Sequence, residues 1–163
     1  MAFGLIDEGR KILSEVIAAQ DNLPASTGIE WQTAAIPVVA ASSTVIEPMG
    51  IPVVVNGDGN FEVYLAQDID AATAYTAADG STFKVAILVG DYQGVGYNHE
   101  DVTIGTTAKT LTGLYKGDAA VYYSGVDFGA ATTTNINEFK AAMAAQGVRA
   151  VAEATVVDPT YNA

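Results

Sequence analysis

The chain contains no cysteine. Disulfides therefore contribute nothing to its stability, and zinc frameworks built on cysteine are excluded. Histidine occurs only at His99. Basic residues are scarce: seven Lys and Arg stand against nineteen Asp and Glu, for a formal net charge of −12. Between Asp58 and Asp101 there are eight acids and a single base, Lys84. Such a surface repels phosphate backbones and anionic lipid, so neither nucleic acid nor a membrane is expected as a partner. No apolar run reaches the roughly 18 residues of a membrane span. At the N-terminus, Asp7 and Glu8 interrupt any apolar core and no basic stretch precedes it, so a secretory signal is not expected and synthesis in the cytoplasm is.

What is present suits one domain with an appended segment. The 163 residues are 50% hydrophobic, enough for a real core. Ala, Val and Gly supply much of that fraction, which leaves eight Tyr and five Phe as the large fillers.

From Phe3 to Gln20 the apolar residues follow a helical period. Leu5, Ile6, Ile12, Leu13, Val16 and Ile17 fall on one face, with Asp7, Glu8, Arg10 and Lys11 mostly elsewhere. The Pro-Ser-Thr-Gly joint of residues 21–28 ends it. The division expected is an N-terminal helical segment, residues 1–23, and a β-rich domain, residues 24–163. The helix face is free to pack on its own domain or on a neighbour.

Past the joint the pattern turns to β. Ile36–Ala40, Thr44–Ile46 and Ile51–Val55 are β-branched runs. Pro37, Pro48 and Pro52 within and beside them predict edge strands or irregular extended chain, because proline cannot donate to a ladder. Asn56-Gly57-Asp58-Gly59-Asn60 is a turn, so Ile51–Ala66 reads as a hairpin. Residues 67–80 read as a loop and Phe83–Gly90 as a buried strand. Two further strands, Lys109–Lys116 and Ala119–Gly125, meet at Lys116-Gly117-Asp118. Asn135, with Glu138 three residues on, has the form of a capping box for a short helix with Ile136, Phe139, Ala142 and Met143 on its apolar face. Gly147 ends that helix, and Val148–Val157 alternates as a last strand. The fold class expected is α+β: a β-rich, barrel-like or β-tulip-like core, a short helix near the C-terminus and an N-terminal amphipathic helix.

Motifs for chemistry are few. His99 lies beside Glu100 and Asp101, but adjacent residues on a strand point to opposite faces and do not converge on a metal. In the stretch starting at Asn56, Asn56, Asp58 and Asn60 have the spacing of half a calcium loop. That loop needs glycine where Phe61 stands and an acid where Gln67 stands. Gly90–Gly96 matches neither phosphate-binding glycine motif. No Gly-x-Ser-x-Gly accompanies any serine. Close carboxylate pairs arise by chance among nineteen acids and discriminate nothing. Neither a catalytic set, a cofactor nor a metal is expected. Tyr92, Tyr97, Tyr115, Tyr122 and Tyr123 are suited either to stacking on sugars or to filling a core.

One order of elements carries more. An Asp79-Gly80 loop leads to the strand of Val85–Asp91. Ala108–Gly129 follows, then a short helix, then Val148–Val151. Along this order lie Ile87, Leu88, Val89, Leu111, Tyr115, Lys116, Gly117, Asp127, Phe128, Lys140 and Gly147. The arrangement resembles the head decoration proteins of tailed bacteriophages, the lambda-type D-protein group, over roughly Asp79 to Val151. The chain departs from the smallest members by its long N-terminal region and by the direct contact of Lys116 with Gly117. The resemblance implies a structural virion protein that is not an enzyme. It implies a homo-oligomer, most often a trimer, seated on the outer surface of the expanded capsid. The partner implied is the major capsid protein, met partly through the N-terminal segment, which makes Leu5, Ile6, Ile12, Leu13, Val16 and Ile17 the candidate contacts. The alternatives are a carbohydrate-binding or adhesion module using exposed tyrosines, another virion component such as a head fibre or tail tube, and, weakest, a small hydrolase using scattered acids.

Overall fold

A computed structural model describes residues 17–19, 33–65, 68–89, 91–92, 97–98, 100–117 and 119–150. In chain order its strands are β1 (Ile17–Ala19), β2 (Thr33–Val39), β3 (Thr44–Ile46), β4 (Met49–Val55), β5 (Phe61–Val63), β6 (Tyr75–Thr76), β7 (Thr82–Phe83), β8 (Val85–Val89), β9 (Asp91–Tyr92), β10 (Tyr97–Asn98), β11 (Val102–Ile104), β12 (Lys109–Leu114), β13 (Ala120–Val121) and β14 (Arg149–Ala150). A 3-10 turn spans Tyr123–Gly125, and helix α1 spans Thr133–Ala145. The architecture is β-rich with a short helix near the C-terminus, as the sequence predicts.

Five strands close into a barrel in the order β12-β2-β5-β4-β8. Only β2 and β5 run parallel; the other ladders are antiparallel. β8 explains how the barrel is covered. Ala86 and Leu88 pack with Ile36, Val53, Phe61 and Leu111 in one core. Val85, Ile87 and Val89 pack with Phe139, Met143 and Val148 in a second. One face of the strand lines the barrel and the other lies under α1, so all five residues are buried. A strand buried on both faces needs an unbroken apolar run, and Val-Ala-Ile-Leu-Val supplies it.

The hairpin expected at residues 51–66 is present, with Val55 opposite Phe61. Its turn rests on Asn56, whose Oδ1 accepts the N–H groups of Asp58 and Asn60. Gly59 takes φ of 79° there, the left-handed position that closes a three-residue hairpin loop.

Several expectations are corrected. Pro37 and Pro52 are not on edge strands, since both β2 and β4 have barrel neighbours on two sides. They are tolerated because the ladders leave gaps for them. The β5 pairing of β2 begins at Val38, one residue past Pro37, and a register shift lies between Met49 and Pro52. Residues 67–80 are not wholly loop: Tyr75 pairs with Phe83, and the edge-to-face and stacked rings of Tyr75, Phe61, Phe83 and Tyr115 pack together. The strand expected around Ala119–Gly125 stops at Val121 and gives way to the 3-10 turn. Helix α1 starts three residues earlier than a cap at Asn135 requires. Its N-cap is Thr132, whose side chain accepts the Asn135 N–H. Gly147 does follow the helix as expected, at φ of 90°.

The N-terminal helix is corrected in part. Ile17–Ala19 is a strand, antiparallel to β13, so the helical period does not continue through Ile17. A short Ile-Ala-Ala run fits either state locally, and pairing to β13 decides it. Residues 1–16 lie outside the described residues, and with them Leu5, Ile6, Ile12, Leu13 and Val16. His99 and Asp118 lie outside them too. Among the described residues no helix is long and apolar enough to cross a membrane.

Candidate interaction site

The N-terminal segment joins the domain at a three-stranded sheet ordered β1-β13-β14. Ala19 stands opposite Ala120 and Ile17 opposite Val121, with a register shift between them. On the other side β14 runs parallel to β13, Ala120 beside Arg149 and Val121 beside Ala150. Among the described residues, β1 and β14 thus form the two edges of one small sheet. β13 is fully buried and packs above α1, with Val121, Phe139 and Met143 in one core. Of the six candidate contacts, the structure places Ile17 alone, on this sheet.

The sheet is fixed to the barrel by a polar joint. At the C-terminus of α1, the Gln146 side chain donates to the carbonyls of Val85 (2.9 Å) and Tyr115 (2.7 Å). Its Oε1 accepts the Lys84 N–H at 3.2 Å. One side chain therefore ties the helix end to both β8 and the exit of β12. Gly147 then approaches the Gly117 backbone so closely that a Cβ there would stand 3.2 Å from the Gly117 carbonyl oxygen.

Beyond Gly117 lies a cluster of residues drawn from distant parts of the chain. Lys116 Nζ meets Asp79 Oδ2 at 2.8 Å, and the Tyr115 hydroxyl donates to the same oxygen at 3.2 Å. Ser81 Oγ donates to Asp79 Oδ1 and lies 2.7 Å from the Tyr115 hydroxyl. The hydrogen bond from Lys116, then those from Ser81, hold the Asp79 carboxyl well below the usual carboxylate range. Asp79 in turn raises Lys116. Both groups stay ionised near neutrality. A carboxylate held so acidic is a weak base, and an ammonium held so firmly is not a free one, so Ser81 has no activating partner in the cluster. Its evident effect is mechanical: it pins the turn of residues 77–81 to the end of β12.

Of the other motif residues, Leu88 and Leu111 lie in the barrel core, while Phe128 and Lys140 lie at α1. Tyr123, Phe128 and Phe139 pack as stacked and edge-to-face rings, and Lys140 Nζ sits 5.0 Å from the Tyr123 ring centre. The Tyr123 hydroxyl is buried with no hydrogen-bond partner, and burial pushes its pKa up to about 12. Asp127 bonds the Gly50 carbonyl through its N–H, at 2.8 Å. Nearby, Tyr64 and Leu65 both adopt φ of 58°, a left-handed conformation costly for such side chains. The Gly129 position abuts the Tyr64 ring, leaving no room for a Cβ without contact at 3.0 Å.

Sequence reasoning singled out Asp79, Tyr115 and Lys116 as motif residues without linking them. It missed Gln146 and the strained Tyr64-Leu65 pair, for which no pattern in the sequence gives a signal. Among the described residues no three His, Cys, Asp or Glu side chains gather as metal ligands. No protein-family model, curated protein or solved structure matches the chain.

Proposed function

We propose that the protein is a head decoration protein of a tailed bacteriophage, binding the outer surface of the expanded capsid and strengthening it. In this reading its partners are the major capsid protein and further copies of itself, most simply as a trimer. The observation that carries the reading is the way the N-terminal segment joins the domain. The barrel closes through β12, β2, β5, β4 and β8 without it, and β1 is added at the edge of a separate sheet. A segment attached by backbone pairing outside the main core can engage a neighbouring surface at little cost to the fold.

Two further points support the same reading. The quoted motif residues Tyr115 and Lys116 form one latch with Asp79, which stiffens the domain at the corner where β12 ends. The net charge of −12 suits a protein that works beside packaged DNA without binding it.

The deciding experiment adds purified protein to expanded capsids that lack it. The expected result is saturable binding at a fixed ratio to the capsid protein, with shells that then resist heat and chelators better. Absence of co-sedimentation with expanded shells would overturn the proposal, and glycan binding abolished by Tyr122→Ala would favour the adhesion alternative.

A further inference from the structure

The hairpin turn that joins β4 to β5 has a second property, chemical rather than mechanical. Asn56 is the only one of the seven asparagines followed by glycine. Its side-chain carbonyl oxygen accepts two backbone N–H groups, from Asp58 at 3.0 Å and from Asn60 at 3.1 Å. Gly57, the next residue, is exposed, and nothing lies within 4 Å of where a Cβ would stand.

These are the parts of an intramolecular acyl transfer. The Gly57 amide nitrogen is the nucleophile, on an exposed residue that carries no side chain of its own. The Asn56 Cγ is the electrophile, one bond too far along the side chain to be an ordinary peptide and close enough to form a five-membered ring. As the nitrogen attacks, negative charge develops on Oδ1, the atom that already holds two N–H donors. Donors fixed in advance on a developing oxyanion are the usual means of lowering such a barrier.

We propose that Asn56 is a self-modification site, at which the folded turn promotes cyclisation onto Gly57. The balance is complete with water as the co-reactant. The Gly57 N–Cγ bond forms and the Cγ–Nδ2 bond breaks. Ammonia leaves with the proton given up by the Gly57 nitrogen, and a succinimide remains. Water then opens the ring at one of its two carbonyls, giving an aspartyl or an isoaspartyl residue. The aspartyl product keeps both accepted hydrogen bonds and adds one negative charge. The isoaspartyl product carries the main chain through the former side chain, which lengthens the turn by one bond and removes the register that sets Val55 opposite Phe61.

Folding ordinarily slows this reaction by holding the backbone away from the cyclic geometry. Here the folded chain must react faster than the unfolded one, because only the fold supplies the two donors.

The test is a time course of the full chain at mildly alkaline pH, native and in concentrated urea, read by peptide mass spectrometry. The expected result is conversion at Asn56 ahead of the other asparagines, at least about tenfold faster in the native protein than in urea. Gly57→Ala should slow the native rate sharply. Gly57 has no left-handed φ to lose and open space for the added carbon, so this variant is expected to fold. A native rate at or below the rate in urea would overturn the proposal, as would conversion of another asparagine first. An isoaspartyl-specific methylation assay on the same samples gives an independent reading of the ring-opened product.

Discussion

At the scale of single residues, the joint between the end of α1 and the barrel rests on one side chain that carries no charge. Gln146 serves four backbone groups of β8 and the β12 exit, the N–H groups of Lys84 and Val85 and the carbonyls of Val85 and Tyr115. Gln146→Leu keeps the volume and leaves these groups unpaired. The expected cost is about 2–3 kcal/mol in urea unfolding, well above that of an ordinary surface change. Tyr123 presents the opposite case. Its hydroxyl is buried without a partner, so Tyr123→Phe should be neutral or stabilising, by up to about 1 kcal/mol. Its titration gives a second readout. With the pKa raised from 10.0 to about 12, the folded state holds the phenol proton more tightly than the unfolded state does. That contribution is fully present below pH 10 and is lost as pH rises through about 12. Ultraviolet titration should therefore include a late step from Tyr123, distinct from the upward shift that burial and Asp127 give Tyr64, and Tyr123→Phe should remove that late step and its share of the alkaline loss of stability.

At the scale of elements, the start of α1 separates two readings of the same sequence. Asn135 and Glu138 have the spacing of a capping box, yet Thr132 caps the helix by accepting the Asn135 N–H. Thr132→Ala should cost about 1 kcal/mol of stability, whereas Asn135→Ala should cost less than about 0.5 kcal/mol. Equal losses in chemical denaturation would return the cap to Asn135. The reason for the misreading is local. Thr132, Thr133 and Thr134 are all plausible caps, and the first apolar contact of the helix with the core, at Phe139, does not choose among them. Where a strand has a strong environment the sequence is legible: β8 is an apolar run because both faces are covered, and the Asn56–Asn60 turn is written in its glycines. Where pairing alone decides, it is not. Ile17–Ala19 carries a helical period and is a strand because β13 offers an edge. Pro37 and Pro52 are excluded from edges by barrel closure, a long-range fact with no local trace. The candidate site follows the same division. Asp79 and Lys116 are separated by 37 positions, so their ion pair is invisible before the chain folds. Gln146 is one glutamine at a helix end, with nothing in its neighbours to mark it.

At the scale of the whole molecule, the question is what the domain loses without its N-terminal segment. The barrel has its own closed ladder, and its interior is filled by residues from β2 onward, among them Ile36, Val53, Phe61 and Leu88. The second core likewise draws on β4, β8, β13 and α1. What β1 adds, among the described residues, is two cross-strand pairs on β13. Pairs of this kind contribute roughly 0.2–1 kcal/mol each, so deleting residues 1–23 should lower stability by no more than about 2 kcal/mol. The truncated chain should unfold cooperatively at a slightly lower urea concentration and keep its circular dichroism. If the proposed capsid role holds, binding to expanded capsids should respond quite differently, because contacts supplied by the segment on every copy would be multiplied over the shell. The expected outcome is a folded protein that no longer decorates. A truncated chain that fails to fold would make residues 1–23 part of the core and remove the argument for an attachment arm. One that folds and still binds capsids would move the contact surface to the rest of the domain, where Val45, on β3 in the two-stranded β11-β3 sheet, is a large apolar side chain 64% exposed among the described residues.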